Sequence, residues 1–345
     1  MIHMDNDYTH GAHPSIFERL LETNDEAASG YGTDRFTENA VRLIKKATGR
    51  EDISVHLLSG GTQTNIVAIT ASLRPYQGVV TADTGHINSL EAGAIEAVGH
   101  RMLPIPSEDG KIYAAEVEKL TEAYWNDKSN YHKVQPGMVY ISNPTETGTI
   151  YTKKELTDLR KVCDDNNMIL FMDGARLGYG LVAETNDLSL TDITVLCDIY
   201  YFGGTKVGAM FGEALIIRNE DLHHGIKTII KQKGGLLAKG RALGIQFEVL
   251  FKDDLYLELS KHAVNQAMQL KKAFLDKGID LRYEAYTNQL FPILHDEQLE
   301  ELEKKYIVLR QESVGEHHRV VRICTNWATD VKVIDQMIED IQKLP

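Results

Sequence analysis

The chain has 345 residues, with 43% hydrophobic and 25% charged residues and a formal net charge of −13. Such a composition is ordinary for a globular protein large enough to form two domains. The negative charge argues against nucleic acid and anionic membranes as partners. Three widely separated cysteines indicate neither a disulfide framework nor a zinc motif. No apolar run resembles a signal peptide or approaches the roughly 20 residues of a membrane span, so we expect a cytoplasmic protein.

Predicted strands and helices alternate through the first two thirds of the chain. Helical patterns lie at 34–48, 63–73 and 89–98 and after a capping-box sequence at 152–155, and strand patterns lie at 53–58, 78–81, 138–142, 168–172, 198–202 and 213–217. This alternation predicts an α/β fold with a mostly parallel sheet covered on both faces. Ligands of such sheets bind beyond the carboxyl ends of the strands.

The pattern changes near residue 247. A long helix is predicted over 256–277, followed by strands at 279–283, 290–294 and 320–324 and by a closing helix that contains Ile334 and Met337. We therefore expect a large domain over 1–247, including an N-terminal arm, and a smaller α+β domain over 248–345.

Two of the predicted strand ends carry side chains that are able to take part in a reaction. Lys206 follows a Gly-Gly turn after the strand at 198–202, and Asp173 ends the strand at 168–172 with Arg176 on the same turn. An amine and a carboxylate placed in this way suit pyridoxal 5'-phosphate (PLP), which needs a Schiff-base lysine and an acidic partner for its ring nitrogen. The alternatives are a surface lysine and an ordinary Asp-Gly turn.

The turn Ser-Gly-Gly-Thr at 59–62 lies between a predicted strand and a predicted helix. Free backbone N–H groups and the helix dipole favour a phosphate there. The turn is neither a Walker A loop nor a dinucleotide fingerprint, which disfavours an oxidoreductase. His86 follows a strand end, where an imidazole is able to stack on a flat ring. The histidine pairs at 223–224 and 317–318 lack metal-ligand spacing, so we expect surface residues there and no metal site.

These motifs together resemble the L-threonine aldolase (β-eliminating lyase) family. The resemblance rests on Asp-Gly-Ala-Arg-Leu at 173–177, Gly-Thr-Lys at 204–206, the segment 59–65, and His86 with Glu-Ala-Gly at 91–93, and it extends over nearly the whole chain. It implies a PLP-dependent enzyme of the aspartate-aminotransferase-like fold (fold type I), from a divergent branch, with a seven-stranded sheet in the large domain.

The resemblance implies roles around the cofactor. Lys206 would form the Schiff base, and Asp173 would hold the pyridinium N–H. His86 would stack on the ring, and Gly61 and Thr62 would bind the phosphate.

The resemblance also implies contacts with the substrate. Arg322 would clamp the substrate carboxylate, a bidentate task that suits a guanidinium. Arg176 would lie on the phenolic-oxygen side of the ring and would also contact the substrate. Asn6 and Tyr31 match segments near the active site, and Tyr31 would act across a subunit interface.

Two departures from the family pattern affect this interpretation. Thr145 falls about where the family has a histidine that is a candidate to handle the substrate's β-hydroxyl. The family's Gly-Gly-Gly-Met-Arg stretch reads Gly-Gly-Leu-Leu-Ala-Lys at 234–239, so Lys239 or Lys233 takes the place of a phosphate-binding arginine, or both are surface charges.

The resemblance implies cleavage of L-threonine, L-allo-threonine or a related L-β-hydroxy-α-amino acid into glycine and an aldehyde. The candidates for the base are His86, an ordered water and a phosphate-linked group, and we favour a water near His86 and Thr145. The family forms homodimers or homotetramers with shared active sites. The alternatives are another fold-type-I PLP enzyme, either a β-eliminating lyase or an aminotransferase, and a catalytically silent binding protein of the same fold.

Overall fold

The computed structural model describes residues 1–222 and 225–345. His223 and His224, which we expected at the surface, lie outside the described residues. The strands are β1 Ile2–His3, β2 Ser54–Leu58, β3 Gln77–Ala82, β4 Met102–Ile105, β5 Gln135–Ser142, β6 Ile169–Asp173, β7 Ile199–Gly203, β8 Glu213–Ile217, β9 Gln289–Leu290, β10 Ile293–His295, β11 Tyr306–Ile307, β12 Leu309–Val314 and β13 His318–Cys324. The helices are α1 Pro14–Glu22, α2 Arg35–Thr48, α3 Gly61–Ser72, α4 His86–Ser89, α5 Ala114–Trp125, α6 Lys153–Asp165, α7 Leu177–Leu181, α8 Leu190–Leu196, α9 Ile226–Gln232, α10 Arg241–Leu250, α11 Leu255–Asp276, α12 Asp296–Glu303 and α13 Val331–Gln342.

The large sheet has seven strands in the order β2-β8-β7-β6-β5-β3-β4. Neighbours from β7 through β4 run parallel, whereas β8 is antiparallel to both β7 and β2. Strands β7 and β8 are buried at every residue, as expected for apolar strands covered by helices on both faces. The predicted α/β fold with a mostly parallel sheet is therefore confirmed.

A second, smaller core is built on an antiparallel sheet. Strand β13 pairs with β10 and β12 and, at its end, with β9. Helix α11 crosses from one core to the other, because Tyr256 and Ala263 belong to the first core and Leu270 and Phe274 to the second. The predicted domain boundary at residue 247 falls inside α10, which packs on the first core.

The N-terminal arm reaches the second core. Strand β1 pairs in parallel with β11, and Met4 is buried in the second core cluster. The backbone N–H of Cys324 donates to the Met4 carbonyl at 2.7 Å. The first residues of the chain are therefore fixed beside the end of β13, from where residues 5–8 run towards the large sheet.

Two local predictions were wrong. The segment 89–98 is not one helix, because Ala92 and Gly93 adopt φ of 52° and 70° and only residues 96–98 form a short 3₁₀ turn. The side chain of Glu91 is instead turned inward to meet His86 and Asn65. The segment 279–283 forms only an isolated bridge between Leu281 and Pro292 instead of a strand.

Strands β6 and β7 end in unusually close contact. The N–H of Gly203 donates to the Gly174 carbonyl at 2.9 Å. A Cβ added to Gly174 would lie 1.8 Å from the Tyr201 carbonyl oxygen, and one added to Gly203 would lie 2.1 Å from that of Ala175. Glycine at both positions lets the Asp173 and Lys206 turns lie side by side.

Among the described residues, no helix is long and apolar enough to cross a membrane.

We expect Gly174→Ala to lower the free energy of unfolding by about 3 kcal/mol, because the added methyl group meets rigid backbone. Urea unfolding of the apoprotein measures this loss. Gly11→Ala is the matched control, since its nearest neighbour is the Met210 Cε at 4.0 Å and its backbone is not left-handed. Equal stability of the two variants would contradict the close approach of β6 and β7.

Candidate active site

A cavity of about 280 Å³ opens at the carboxyl ends of the parallel strands. Turns and strand ends from the large sheet contribute most of its wall, and the N-terminal arm contributes Tyr8. The lining residues are Tyr8, Ser59, Gly60, Gly61, Thr62, His86, Glu91, Ser142, Pro144, Glu146, Asp173, Ala175, Arg176, Tyr201, Thr205, Lys206, Phe211 and Glu213. The structure therefore brings together Lys206, Asp173, Arg176, His86, Gly61 and Thr62 from the sequence prediction.

Lys206 lies just beyond the end of β7. The turn before it is held by Glu213, whose carboxylate accepts from the Gly204 N–H at 3.0 Å and from the Thr205 hydroxyl at 2.9 Å. Burial and the nearby Arg176 charge lower the pKa of the Lys206 amine. No side-chain hydrogen bond holds this amine within the described ranges. A buried amine with a lowered pKa is a nucleophile suited to attack a carbonyl group.

Asp173 is a buried carboxylate at the end of β6. Its Oδ1 accepts from the Ala175 N–H at 2.9 Å, and its Oδ2 accepts from Asn65 Nδ2 at 3.4 Å and from the Tyr140 hydroxyl. These donors fix the orientation of the carboxylate, which is the kind of group that binds a pyridinium N–H.

His86 belongs to the same polar network. Its Nδ1 lies 2.8 Å from Glu91 Oε1, which also accepts from Asn65 Nδ2 at 2.8 Å. This hydrogen bond raises the pKa of the imidazole. The ring is about one third exposed and lines the cavity, whereas the Glu91 side chain is fully buried. Glu91 thus fixes the orientation of the ring, and the accessible part of the ring lines the same cavity as Asp173.

The turn at 59–62 fits a phosphate group. Helix α3 begins at Gly61, and no side chain caps its N-terminus. Ser59 is held by Gln63, whose amide in turn donates to the Lys233 carbonyl at 3.1 Å. A Cβ on Gly60 would meet nothing within 4 Å, so the backbone is open to a ligand at this point. Uncapped N–H groups at a helix N-terminus are an anion-binding arrangement.

Taken together, the donor set fits PLP. An unpaired amine, a buried carboxylate and an uncapped helix N-terminus face one cavity, as a carbonyl group, a ring nitrogen and a phosphate require. Among the described residues, no cluster of His, Cys, Asp and Glu has the arrangement of a metal site.

Arg176 is fixed by a residue that the sequence analysis missed. Its Nε and Nη2 donate to the two oxygens of Asp7 at 2.6 and 3.0 Å, and Asn288 Nδ2 donates to Asp7 Oδ2 at 2.9 Å. Burial opposes ionisation of Asp7, but the Arg176 and Lys206 charges prevail and lower the pKa of Asp7 to about 2. The Arg176 guanidinium is therefore a fixed part of the cavity wall rather than a free anion clamp.

Arg322 and Asn6 are not among the residues that line the cavity. Arg322 Nη2 donates to the Asp5 carbonyl at 2.9 Å, while its buried Nε has no hydrogen-bond partner within the described ranges. Asn6 is buried and binds its neighbours, since Nδ2 donates to Asp5 and Oδ1 accepts from the Tyr8 N–H. Asn6 thus shapes the arm that carries Tyr8 into the cavity wall.

Tyr31 and Lys239 lie away from this cavity. Both are exposed, and the Tyr31 N–H donates to the Ala238 carbonyl at 3.4 Å, so the two predicted residues are neighbours on one surface. Tyr31 has a left-handed backbone with φ of 60°, and Lys231 Nζ lies 4.6 Å from its ring centroid.

Thr145 does not face the cavity. Its buried hydroxyl lies 3.0 Å from that of Thr147 and 2.7 Å from that of Thr149, on the side of the loop that meets residue 109. The neighbouring Glu146 lines the cavity instead. This placement does not support the predicted contact between Thr145 and a substrate.

Glu213 is a carboxyl group of the site with a shifted pKa, which the sequence did not indicate. Burial is the largest cause that raises the pKa of Glu213 to about 8, although Thr205 and Lys206 oppose the shift. The pKa of Glu213 is therefore higher in the folded than in the unfolded protein. Its contribution to the free energy of unfolding is fully present below about pH 4.5 and is lost as the pH rises to about 8.

We expect Glu213→Gln to remove this pH dependence in the apoprotein. The unfolding free energy of wild type minus that of the variant should fall by up to about 1.4 kcal/mol per pH unit between pH 5 and 8. Urea unfolding of both proteins across this range measures the slope, and a pH-independent offset from the altered hydrogen bonds does not affect it. A flat difference would show that Glu213 is ionised throughout.

Comparison with known proteins places this cavity in a family. The model of the Beta-eliminating lyase family matches residues 7–297. The low specificity L-threonine aldolase of Pseudomonas aeruginosa is 27% identical over 96% of this chain and 94% of its own length. The solved structure of Leishmania major threonine aldolase has a TM-score of 0.96 and 42% identity, and 99% of each chain is covered.

A more distant structure shows how widely the fold is shared. Sphingomonas wittichii serine palmitoyltransferase has a TM-score of 0.73 at 13% identity, covering 99% of this chain and 86% of that one. The resemblance predicted from the sequence motifs is confirmed, because the family match covers most of the chain: the protein belongs to the beta-eliminating lyase family.

Proposed function

We propose that this protein is a PLP-dependent aldolase that cleaves L-threonine, L-allo-threonine or a related L-β-hydroxy-α-amino acid into glycine and an aldehyde. The observation that carries the proposal is the single cavity onto which Lys206, Asp173 and the 59–62 turn open. The similarity to threonine aldolases along the whole chain supports the choice of reaction.

Each side chain has a role that follows from its contacts. Lys206 attaches the cofactor covalently by reaction with the aldehyde group of the cofactor. The turn with Gly61 and Thr62 binds the phosphate of the cofactor. Asp173 holds the ring nitrogen in its protonated state, and His86 stacks on the ring with its orientation fixed by Glu91. When bound, the cofactor supplies an electron sink for the pair released at Cα.

Arg322 binds the substrate carboxylate in this proposal. Its Nη2 is anchored on the N-terminal arm, which leaves the rest of the guanidinium for a ligand, and its buried Nε has no hydrogen-bond partner within the described ranges. A guanidinium held in this way fixes the direction of the bonds at Cα relative to the ring. The Arg176 side chain adds a second positive charge, screened by Asp7.

We further propose a cytoplasmic homodimer or homotetramer with shared active sites. Tyr31 and Lys239 are neighbours on the surface outside the cavity of their own subunit. Their predicted roles at the substrate and at the phosphate therefore require the cavity of a second subunit.

The proposal is tested by incubating the purified holoenzyme with L-threonine and with L-allo-threonine. We expect glycine and acetaldehyde from the wild type, and loss of at least about 1,000-fold in kcat for Lys206→Ala, because the variant lacks the amine that attaches the cofactor. Lys261→Ala, at an exposed position, is the matched control and should retain full activity. Ammonia with a keto acid as products would indicate elimination instead, and near-wild-type turnover by Lys206→Ala would refute the role of this lysine.

Arg322→Lys tests the carboxylate clamp. We expect KM for L-threonine to rise at least about tenfold, because an ammonium group cannot reproduce the two-pronged contact of a guanidinium. Steady-state kinetics measure the effect, and the absorbance of the bound cofactor checks that its site is intact. An unchanged KM would place the carboxylate elsewhere.

A further inference from the structure

We propose that Glu146 is the group that accepts the proton of the substrate's β-hydroxyl, through its oxygen Oε2. The proposal rests on the aldol cleavage proposed above and assigns the base that this reaction needs. It moves the base from the predicted water near His86 and Thr145 to the carboxylate of Glu146.

Glu146 is held in place at one oxygen only. Its Oε1 accepts from the Ser142 hydroxyl at 2.7 Å and from the backbone N–H of His86 at 3.0 Å. Both hydrogen bonds of the carboxylate to described residues thus use Oε1 and leave Oε2 without one, and the side chain lines the cavity that Lys206 also lines. One half of the carboxyl group is therefore a fixed anchor, and the other half is available to a ligand.

The position of Glu146 is fixed relative to the other catalytic groups. Ser142, which anchors it, is the last residue of β5 and pairs with Asp173 at the end of β6. The other donor, the backbone of His86, carries the ring that stacks on the cofactor. Glu146 thus bridges the strand end that carries Asp173 and the segment that carries His86, and it lines the same cavity as both.

The other carboxylates of the cavity are either hydrogen-bonded at both oxygens or fully buried. Asp173 accepts hydrogen bonds at both oxygens, and so does Glu213, which holds the Gly204–Thr205 turn. Glu91 Oε2 has no hydrogen-bond partner among the described residues, but the Glu91 side chain is fully buried behind His86 and is not accessible to a substrate. Among the described acidic residues of the cavity wall, Glu146 is the one with an oxygen left for the substrate.

The chemistry of Glu146 suits this role. Burial raises the pKa of its carboxyl group, the Ser142 hydrogen bond opposes the shift, and the Asp173 charge adds to it. A carboxylate with a raised pKa is a stronger base near neutral pH. In the step, the hydroxyl proton passes to Oε2, the O–H electron pair forms the aldehyde C=O bond, and the Cα–Cβ bond breaks with its pair left on Cα. Solvent then protonates Cα to give glycine, and Glu146 releases its proton to water.

Glu146→Gln separates this role from a structural one. The amide oxygen still accepts from Ser142 and from the His86 N–H, so the anchor is kept and only the basic oxygen is lost. We expect kcat for L-threonine cleavage to fall at least about 100-fold, as for loss of a general base. Exchange of the glycine α-hydrogen for deuterium, followed by NMR on the holoenzyme, should stay within threefold of wild type, because it needs the cofactor site but no proton acceptor at Cβ.

The controls give each outcome a distinct meaning. Glu300→Gln, at an exposed position, should leave both reactions unchanged. Retained cleavage by Glu146→Gln, or equal loss of cleavage and exchange, would overturn the proposal, the first by showing another base and the second by showing a role in cofactor binding. Failure of the proposed aldolase function would appear in the wild type itself, as exchange without acetaldehyde.

A second variant covers the case in which the glutamine variant does not fold. Glu146→Ala opens a space for a small carboxylate, so added formate should restore at least part of the lost cleavage. Absence of any restoration, with the cofactor bound and glycine exchange intact, would contradict a proton-accepting role for this position.

Discussion

The ion pair between Arg176 and Asp7 holds the site together. Asp7 lies on the N-terminal arm, Arg176 follows strand β6 of the large sheet, and Asn288, which also donates to Asp7, precedes strand β9 of the small core. Three parts of the chain that are far apart in sequence thus meet at one buried carboxylate. Removing one partner of a buried pair costs about 3–5 kcal/mol, because it leaves an uncompensated charge. Substitution of Asp7 or Arg176 alone would therefore leave its partner as an uncompensated charge where these three parts meet.

The same pair sets the electrostatics beside it. The Arg176 charge lowers the pKa of the Lys206 amine, while Asp7 opposes this effect. Asp7 itself remains ionised because two positive groups face it. At Glu213 and Glu146, burial instead raises the pKa of each carboxyl group, although the Lys206 charge opposes the shift at Glu213 and the His86 charge opposes it at Glu146. One cavity therefore holds carboxyl groups with different proton affinities, which is how a single site comes to contain both charge partners and proton acceptors.

The sequence predicted those parts of the site that lie at the ends of strands. Lys206 and Asp173 were identified because an apolar run stops at a glycine turn beside a charged residue, and parallel strands place such ends at one edge. Asp7 and Glu213 gave no such signal. Asp7 is one acidic residue in a polar N-terminal segment, and its importance depends on a partner 169 residues away. Glu213 is the first residue of a buried strand, where a carboxylate indicates only the start of the strand. Nothing in the sequence indicates that it supports the turn at Gly204 and Thr205.

The helix predicted over 89–98 failed for a related reason. Its composition favours a helix, but Glu91 forms buried hydrogen bonds with His86 and Asn65 that a regular helix would not allow. Tertiary hydrogen bonds of a buried carboxylate outweigh a propensity difference of less than about 1 kcal/mol per residue. Local sequence rules break down here at a residue that supports the site, which is where such conflicts are expected.

The loop after β5 shows how a neighbouring residue takes over a position in a site. The hydroxyls of Thr145, Thr147 and Thr149 bind one another, and two of them donate to the Asp109 carbonyl, so this side of the loop is anchored to the protein. Glu146 lies between the anchored residues and faces the opposite way, into the cavity. A comparison by position alone selects Thr145, whereas the direction of the side chains selects Glu146. The loop can present a carboxylate to the substrate because its threonines bury their own hydrogen-bonding groups elsewhere.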